Sequence, residues 1–499
     1  MKIADAVNIL KPSRQLSTLN SQLIHIKSLN TFHTLVPFLP KQISTKAIFI
    51  YILSLAAISI VFFKYMMKLD FIIIGIVWVL LFFLLSSRYT VRWSTLDDRR
   101  FVRRLFFTAL IFRVVWVTFS YFYYSIKTGI PFEFSSSDAL GYHEAAVWFR
   151  QVGWKAMYDY ISRAPIGDTG YPVYLTLLYS IIGPNVYLAR IVKSLLSAFT
   201  CVLVYRLSRR VMNEETGRMA GIFCCLAPNL IMYCGMHLKE TEMIFLTVAA
   251  LERADNLLRG RSVNVWNVLL TVLLVGSLFT FRSVLGSTTI FAIITALVFS
   301  NTSVVGRWNR VVLISWAVLA LAVFASGTIA NEAQALWQSR NDNQVAKRDY
   351  QVHKGIRWAK YATGTVMAPM MFVLPFPTMV DVDEQYNQQL INGGNYVRNF
   401  MGIFVLIGIF GAVFVKKQWR DLTMVGAFVI GYLGVISASG FANSERFLLP
   451  GMPFLLIIAA YGVSLLNRGN YRWVKLWYGV VPLMIVGWAV FKLGSRGIL

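Results

Sequence analysis

Four short stretches of the chain place acidic and basic side chains where an apolar run begins or ends. The first is Phe134-Ser-Ser-Ser-Asp-Ala-Leu-Gly-Tyr-His-Glu-Ala-Ala146. Asp138 follows three serines and precedes an apolar period of Ala139, Tyr142, Ala146 and Phe149, which predicts an N-cap or first-turn residue of a surface helix. The helix N-terminus keeps such a carboxylate ionised. At a membrane edge it can then act as a general base, with Tyr142 and His143 one turn away to contact a substrate. The plainer readings are a capping aspartate and a satisfied surface histidine. The second stretch is Gly235-Met-His-Leu-Lys-Glu-Thr-Glu242, with His237, Lys239, Glu240 and Glu242 packed into a turn between two apolar runs. Glu240 and Glu242 suit a helix N-terminus, yet this many ionisable groups at a bilayer surface are costly without a purpose. The third is Arg282 in Thr280-Phe-Arg-Ser283, and the fourth is Asn443-Ser-Glu-Arg-Phe-Leu-Leu-Pro450, where Glu445 and Arg446 open a helix. Each arginine can snorkel to water. Lys239, Arg282 and Arg446 gathered on one face would instead hold a phosphate.

Two cations lie deeper. Arg113 sits inside one apolar run and Lys193 inside another, and both admit snorkelling or function. The chain has no P-loop, HExxH, GxSxG or dinucleotide fingerprint, so nucleotide-driven transport, metalloprotease and serine-hydrolase chemistry have no support. The four cysteines, Cys201, Cys224, Cys225 and Cys234, lie in apolar segments with neither a CxxC pair nor a zinc spacing, and read as buried thiols.

Composition says what must position these groups. Of 499 residues, 57% are hydrophobic and only 14% charged, against about 25% charged in a soluble domain. The chain cannot cover a globular surface with polar residues, which excludes a cytosolic enzyme, a disordered protein and a fibrous one. The expected fold is all-α, a polytopic integral membrane protein with about 13 spans by the bilayer-thickness rule. The runs are 47–63, 71–85, 105–124, 189–205, 219–236, 241–251, 265–281, 284–300, 311–327, 400–415, 422–439, 447–466 and 477–491. A piece at 361–380, broken by Pro369, Pro375 and Pro377, suits a re-entrant or interfacial segment.

The net charge of +25 is concentrated in loops. Arg88 to Arg104, Arg206 to Arg218, Arg253 to Arg261, Arg307 to Arg310, Lys416 to Arg420 and Arg468 to Lys475 all fall on one side, which is then cytoplasmic. No nucleic-acid motif occurs among them, and no nucleic-acid partner is expected. The expected organisation is an N-terminal arm at 1–46, partly lying on the anionic inner leaflet; two additional spans and a basic loop at 47–104; a transmembrane core at 105–466 with outer loops at 125–188 and 328–399; and a C-terminal span at 467–499. Surface helices are expected after Asp138, with a further helix from about Tyr171. No internal repeat is visible, which weakens an inverted-repeat transporter.

In order and sidedness these pieces resemble the GT-C superfamily of membrane glycosyltransferases, in the bacterial branch related to protein O-mannosyltransferases and the lipid A aminoarabinose transferase. The matching features are Arg113 in an early span, Asp138 ahead of Tyr142 in the first large outer loop, and Gly170-Tyr-Pro-Val-Tyr-Leu175. Ala227-Pro-Asn229 leading to Lys239-Glu240 and Arg446-Phe-Leu-Leu-Pro450 with Pro453 complete the series. The resemblance covers roughly Leu105 to Leu466. It departs at Ala139, where many relatives carry a second acid. It implies inverting transfer of a sugar from a polyprenyl-phosphate donor to a glycan, lipid or protein acceptor, on the periplasmic or exterior face of a bacterial inner membrane. Asp138 would be the base, and Lys239, Arg282 and Arg446 would hold the donor phosphate. Tyr142, His143, His237, Glu240 and Glu445 would contact substrate. No cofactor is assigned; a divalent cation is an option, with Glu240 orienting it or touching the acceptor. The competing readings are a lipid-linked oligosaccharide polymerase or ligase, a lipid-linked sugar flippase or other transporter with charges near the midplane, and a non-catalytic scaffold.

Overall fold

The computed structural model describes residues 38–259, 265–299, 372–383, 385–438 and 445–494. Described elements are α1 (Lys41–Val61), α2 (Leu69–Arg92), α3 (Asp98–Thr128), α4 (Ser137–Val152), α5 (Trp154–Arg163), α6 (Ile166–Ile182), α7 (Val186–Val211), α8 (Glu214–Leu226), α9 (Pro228–Met232), α10 (Glu240–Arg259), α11 (Val265–Phe281) and α12 (Ser283–Phe299). After these come α13 (Asn392–Phe410), α14 (Thr423–Ala438), α15 (Glu445–Ser464) and α16 (Tyr471–Gly494). Among the described residues the only β-pairing is an isolated bridge between Met66 and Val380.

Every apolar run read from the sequence that lies within the described residues is helical over most of its length. Seven of these helices are long and apolar enough to cross a membrane, or eight if the bent pair α8 and α9 counts as one span; α11, α12 and α14 are shorter apolar helices. The run 311–327 and most of 361–380 lie outside the described residues. Several boundaries move outward. The first helix begins at Lys41, inside the stretch read as an arm, and α2 and α3 extend through most of the basic stretch Arg88 to Arg104. Hydropathy reports where lipid is, whereas a helix continues until its hydrogen bonds are stopped.

The stops and starts are local chemistry. The Asp97 carboxylate accepts from Arg100 N–H at 3.2 Å and caps α3, which ends at Gly129 with φ +80°. Asn185 caps α7 through Leu188 N–H and Asn213 caps α8 through Thr216 N–H. At Ala227-Pro228 the missing N–H breaks the helix, and α8 and α9 meet at 51°.

α3 shows why lipid must surround the bundle. Phe101, Leu105, Ala109, Trp116, Val117 and Tyr124 are buried along one face, while Ile111, Val115, Phe119, Phe122 and Ile126 stand exposed along the other. Both faces are apolar, so only an apolar solvent covers the second. Arg113 belongs to the buried face, at the middle of α3. Its guanidinium donates to Ser197 Oγ at 2.7 Å, Ala109 O at 3.0 Å, Cys225 O at 3.1 Å and Cys224 O at 3.3 Å, and approaches Cys201 Sγ. It therefore does not snorkel. It satisfies carbonyls orphaned at the broken end of α8.

The basic stretches around Asp98, Arg209, Arg259 and Asp421 meet at one end of the bundle, while Arg307 to Arg310 lies outside the described residues. Arg209 pairs with Asp98 and Glu214, Arg210 with Glu252 and Asp255, and Arg259 with Asp255 and Asp421, while Arg218 donates to Trp93 O. Lys239 and Glu240 stand at the opposite end of α10 from Asp255 and Arg259, and Asp138, Arg282 and Arg446 gather at Glu240 through ion pairs.

Candidate active site

The site is assembled by α4, the turn before α10, the junction of α11 and α12, and the start of α15. α4 begins at Ser137 with Ser136 as N-cap and no side-chain cap bond, so Asp138 is a first-turn residue. Its Oδ2 accepts from Arg446 Nη1, 308 residues away in sequence. Arg446 Nε donates to Glu240 Oε1, at the first residue of α10. Arg282 Nη2 lies 3.9 Å from the same Glu240 oxygen, with its guanidinium 4.5 Å from the centroid of the Phe447 ring. Asp138, Arg446, Glu240 and Arg282 thus form one chain of alternating charge. Glu240 is fully buried, whereas the Asp138 side chain is about half exposed at 53%.

Lys239 faces a different partner. Its Nζ donates to Asp168 Oδ1 at 2.8 Å and to Gly167 O at 3.2 Å, and lies 5.8 Å from the centroid of the Tyr142 ring. Burial pulls its pKa down; Asp168 opposes that and Arg282 adds to it. Asp168 was not singled out in the sequence. It sits in Gly167-Asp-Thr-Gly170, where a Cβ on Gly170 would collide with Thr280 and one on Gly167 would press on Ser283. Those two glycines let α6 pass closely against the segment that carries Arg282, and Asp168 rides between them. α6 starts at Ile166, earlier than the Tyr171 start expected, and α5 separates it from α4.

Tyr142 lies between these groups. Its ring meets Tyr171 edge-on at 5.0 Å, and burial, with Glu240, Asp138 and Asp168 nearby, pushes its hydroxyl up to about 12 against the opposing pull of Arg446. It stays a neutral hydrogen-bonding group.

His143, His237 and Glu445 point elsewhere. His143 Nδ1 and His237 Nε2 flank the Tyr179 hydroxyl at 2.9 and 3.1 Å. Burial lowers both imidazoles, and Arg190 and Lys193 depress His237 further. His237 N–H donates to Glu133 Oε2 at 3.1 Å, and Arg190 lies 3.7 Å from that oxygen. Glu445 turns inward, with Tyr233 donating to it at 3.4 Å. Lys193 Nζ donates to Met236 O at 2.9 Å and to Leu238 O, with Glu242 at 3.6 Å. It clasps the turn that presents Lys239 and Glu240. Glu133, Arg190 and Asp168 are the polar residues that sequence reading passed over.

Among the described residues, no group of three or more His, Cys, Asp or Glu is arranged to hold a metal ion. Glu240 is instead engaged by two arginines. No protein-family model matches the chain, and no curated protein matches its sequence.

Proposed function

We propose that this protein is an inverting membrane glycosyltransferase using a polyprenyl-phosphate sugar as donor, with the Asp138 end of the bundle on the non-cytoplasmic side of a bacterial inner membrane and a GT-C-like core. The observation that carries the reading is the chain Asp138–Arg446–Glu240–Arg282, drawn from four distant segments to the bundle end opposite the basic loops. The two cations inside apolar runs that keep a flippase in view have other employment: Arg113 satisfies a broken helix and Lys193 clasps a turn.

In this reading Arg446 and Arg282 receive the donor phosphate by charge-assisted hydrogen bonds, and Lys239 adds its charge from beside Asp168. An acceptor hydroxyl attacks the anomeric carbon. The new C–O bond forms as the bond to the phosphate oxygen breaks, and that oxygen keeps the electron pair. Asp138 takes the hydroxyl proton, and the arginines stabilise the charge gathering on the leaving phosphate. Arg446 is shared between two carboxylates, so an arriving phosphate competes for it and releases Asp138 to serve as base. A polymerase or ligase would use the same arginines without the carboxylate.

Purified protein in lipid nanodiscs, supplied with a panel of polyprenyl-phosphate sugars and acceptors, tests this directly. Release of polyprenyl phosphate that depends on Asp138 supports it. Turnover that ignores Asp138 but needs Arg446 points to the ligase class, and no turnover with any donor refutes the proposal.

A further inference from the structure

Beneath the outer ion pairs lies a second polar group that the transfer step does not use. Arg190 is fully buried, and its Nε, Nη1 and Nη2 have no hydrogen-bond partner among the described residues. The same holds for Glu133 Oε1, His237 Nδ1 and the Tyr124 hydroxyl, all buried. A buried guanidinium with all its donors idle is a large unmet demand. Glu133 Oε2 lies 3.7 Å from Nη2, beyond hydrogen-bond length.

The charges select the guest. Arg190 and Glu133 balance each other, so an anion would face Glu133 and a cation would face Arg190. A neutral guest meets neither penalty. Its hydrogen bonding must be two-sided, since Arg190 only donates, Glu133 Oε1 accepts, and Tyr124 can do both. Tyr179 has one hydroxyl hydrogen for the two histidines beside it, so it donates to one and accepts from the other. His237 Nδ1 is therefore a donor in one tautomeric arrangement and an acceptor in the other. The Phe132 ring, 5.7 Å from His237 and 5.8 Å from the Arg190 guanidinium, adds an apolar wall. Donors, acceptors and an aromatic face around zero net charge describe a site for hydroxyl groups.

We infer that Arg190, Glu133, His237 and Tyr124 form a binding site for a neutral polyhydroxylated group, the sugar ring of the ligand whose phosphate the outer arginines hold. The two sites share backbone: Glu133 stands five residues before Asp138, and His237 is two residues before Lys239 on the turn clasped by Lys193. Tyr171 contacts both Tyr142 and His237. The identity of the guest as a sugar on a lipid phosphate rests on the transferase reading; the neutral, two-sided character of the site does not.

The test measures binding of three probes to the full chain in nanodiscs: a polyprenyl phosphate, the same lipid carrying a hexose, and a short alkyl glycoside with no phosphate. The wild type should prefer the sugar-bearing lipid over the bare one. Glu133→Gln and Arg190→Lys should weaken the sugar-bearing lipid and the glycoside about tenfold or more, with the bare lipid unchanged. Tyr124→Phe, which removes one hydroxyl and spares the charge pair, should give the same pattern more weakly and covers the case in which Arg190→Lys misfolds. If neither phosphate lipid binds, the transferase reading falls, and the glycoside alone decides the inference. Equal binding of both lipids, or a sugar preference untouched by these substitutions, overturns it and leaves a hydrated structural ion pair.

Discussion

At the end of the bundle carrying Arg209, Arg210 and Arg259, guanidinium groups lie against carboxylates of neighbouring helices. Arg210 on α7 holds Glu252 at 2.8 Å and Asp255 at 2.9 Å on α10. At the opposite end, Arg446 divides itself between Asp138 and Glu240, and Arg282 reaches Glu240 only at 3.9 Å. The residue types are the same. Arg210 stitches α7 to two nearly buried carboxylates of one helix, whereas Arg446 is held between two elements, by buried Glu240 on α10 and by half-open Asp138 on α4. An incoming anion has little to gain at Arg210, and at Arg446 it can replace a partner.

The largest effect expected to sharpen this contrast is that of Asp138→Asn. The amide keeps the shape, and no cap bond is lost, so the fold should persist. Turnover should fall by roughly 10²- to 10⁴-fold with donor binding retained, as measured by single-turnover kinetics beside a binding isotherm. Full turnover in a folded variant would erase the distinction between the two ends. Next in size, Arg446→Ala should weaken donor lipid binding by about 10- to 100-fold, the scale of a charge-assisted contact, as read by titration in nanodiscs.

The matching change at the other end is Arg210→Ala. It takes the shared cation from two nearly buried carboxylates, leaving Asp255 to Arg259 and Glu252 to Arg253 at 3.7 Å, which costs up to about 3 kcal/mol after discounting for the partial exposure of Arg210. Thermal melting should show that loss while turnover per folded molecule stays unchanged. A drop in turnover would mean that the stitched end also takes part in chemistry. The smallest effect concerns pH. His237 and His143 are held below the ordinary imidazole value, so the fold favours their neutral forms. The unfolded chain takes up protons near pH 6.5. This contribution to stability is therefore whole above that pH and lost as pH falls below it. Melting of the wild type between pH 7 and 5 should slope downward, and His237→Gln should flatten part of the slope. An unchanged slope would remove His237 from the buried group.

The outer residues were legible because each stood at the end of an apolar run, where a charge has few bland uses. The span count and the basic loops opposite put Asp138, Glu240, Arg282 and Arg446 on one face, and in the structure ion pairs join them. What runs of hydropathy cannot carry is partnership. Lys239 was grouped with the arginines, but its contact is Asp168, which looked like ordinary loop polarity between two glycines. Glu133 was passed over as a single charge in a mixed stretch and Arg190 as one at the start of the run 189–205, because neither gives a sign of facing the other 57 residues away. The helix ends were misjudged for a related reason. Polar turns at Arg88 to Arg92 and Asp98 to Arg104 stay helical through local hydrogen bonds that apolar content does not report.

Arg113 also bears on how the protein comes to be made. The carbonyl of Cys225 that receives its guanidinium is 112 residues downstream. At about 5–20 residues per second, roughly 6–22 seconds of synthesis separate the two. During that interval α3 must enter the bilayer with a cation at its centre, which costs about 2.5–3.5 kcal/mol on insertion scales. The helix is therefore expected to linger beside the translocon, or with an insertase, until α7 and α8 emerge. Ribosome-stalled chains truncated before α7 should leave α3 crosslinked to that machinery, and chains extended past α9 should release it.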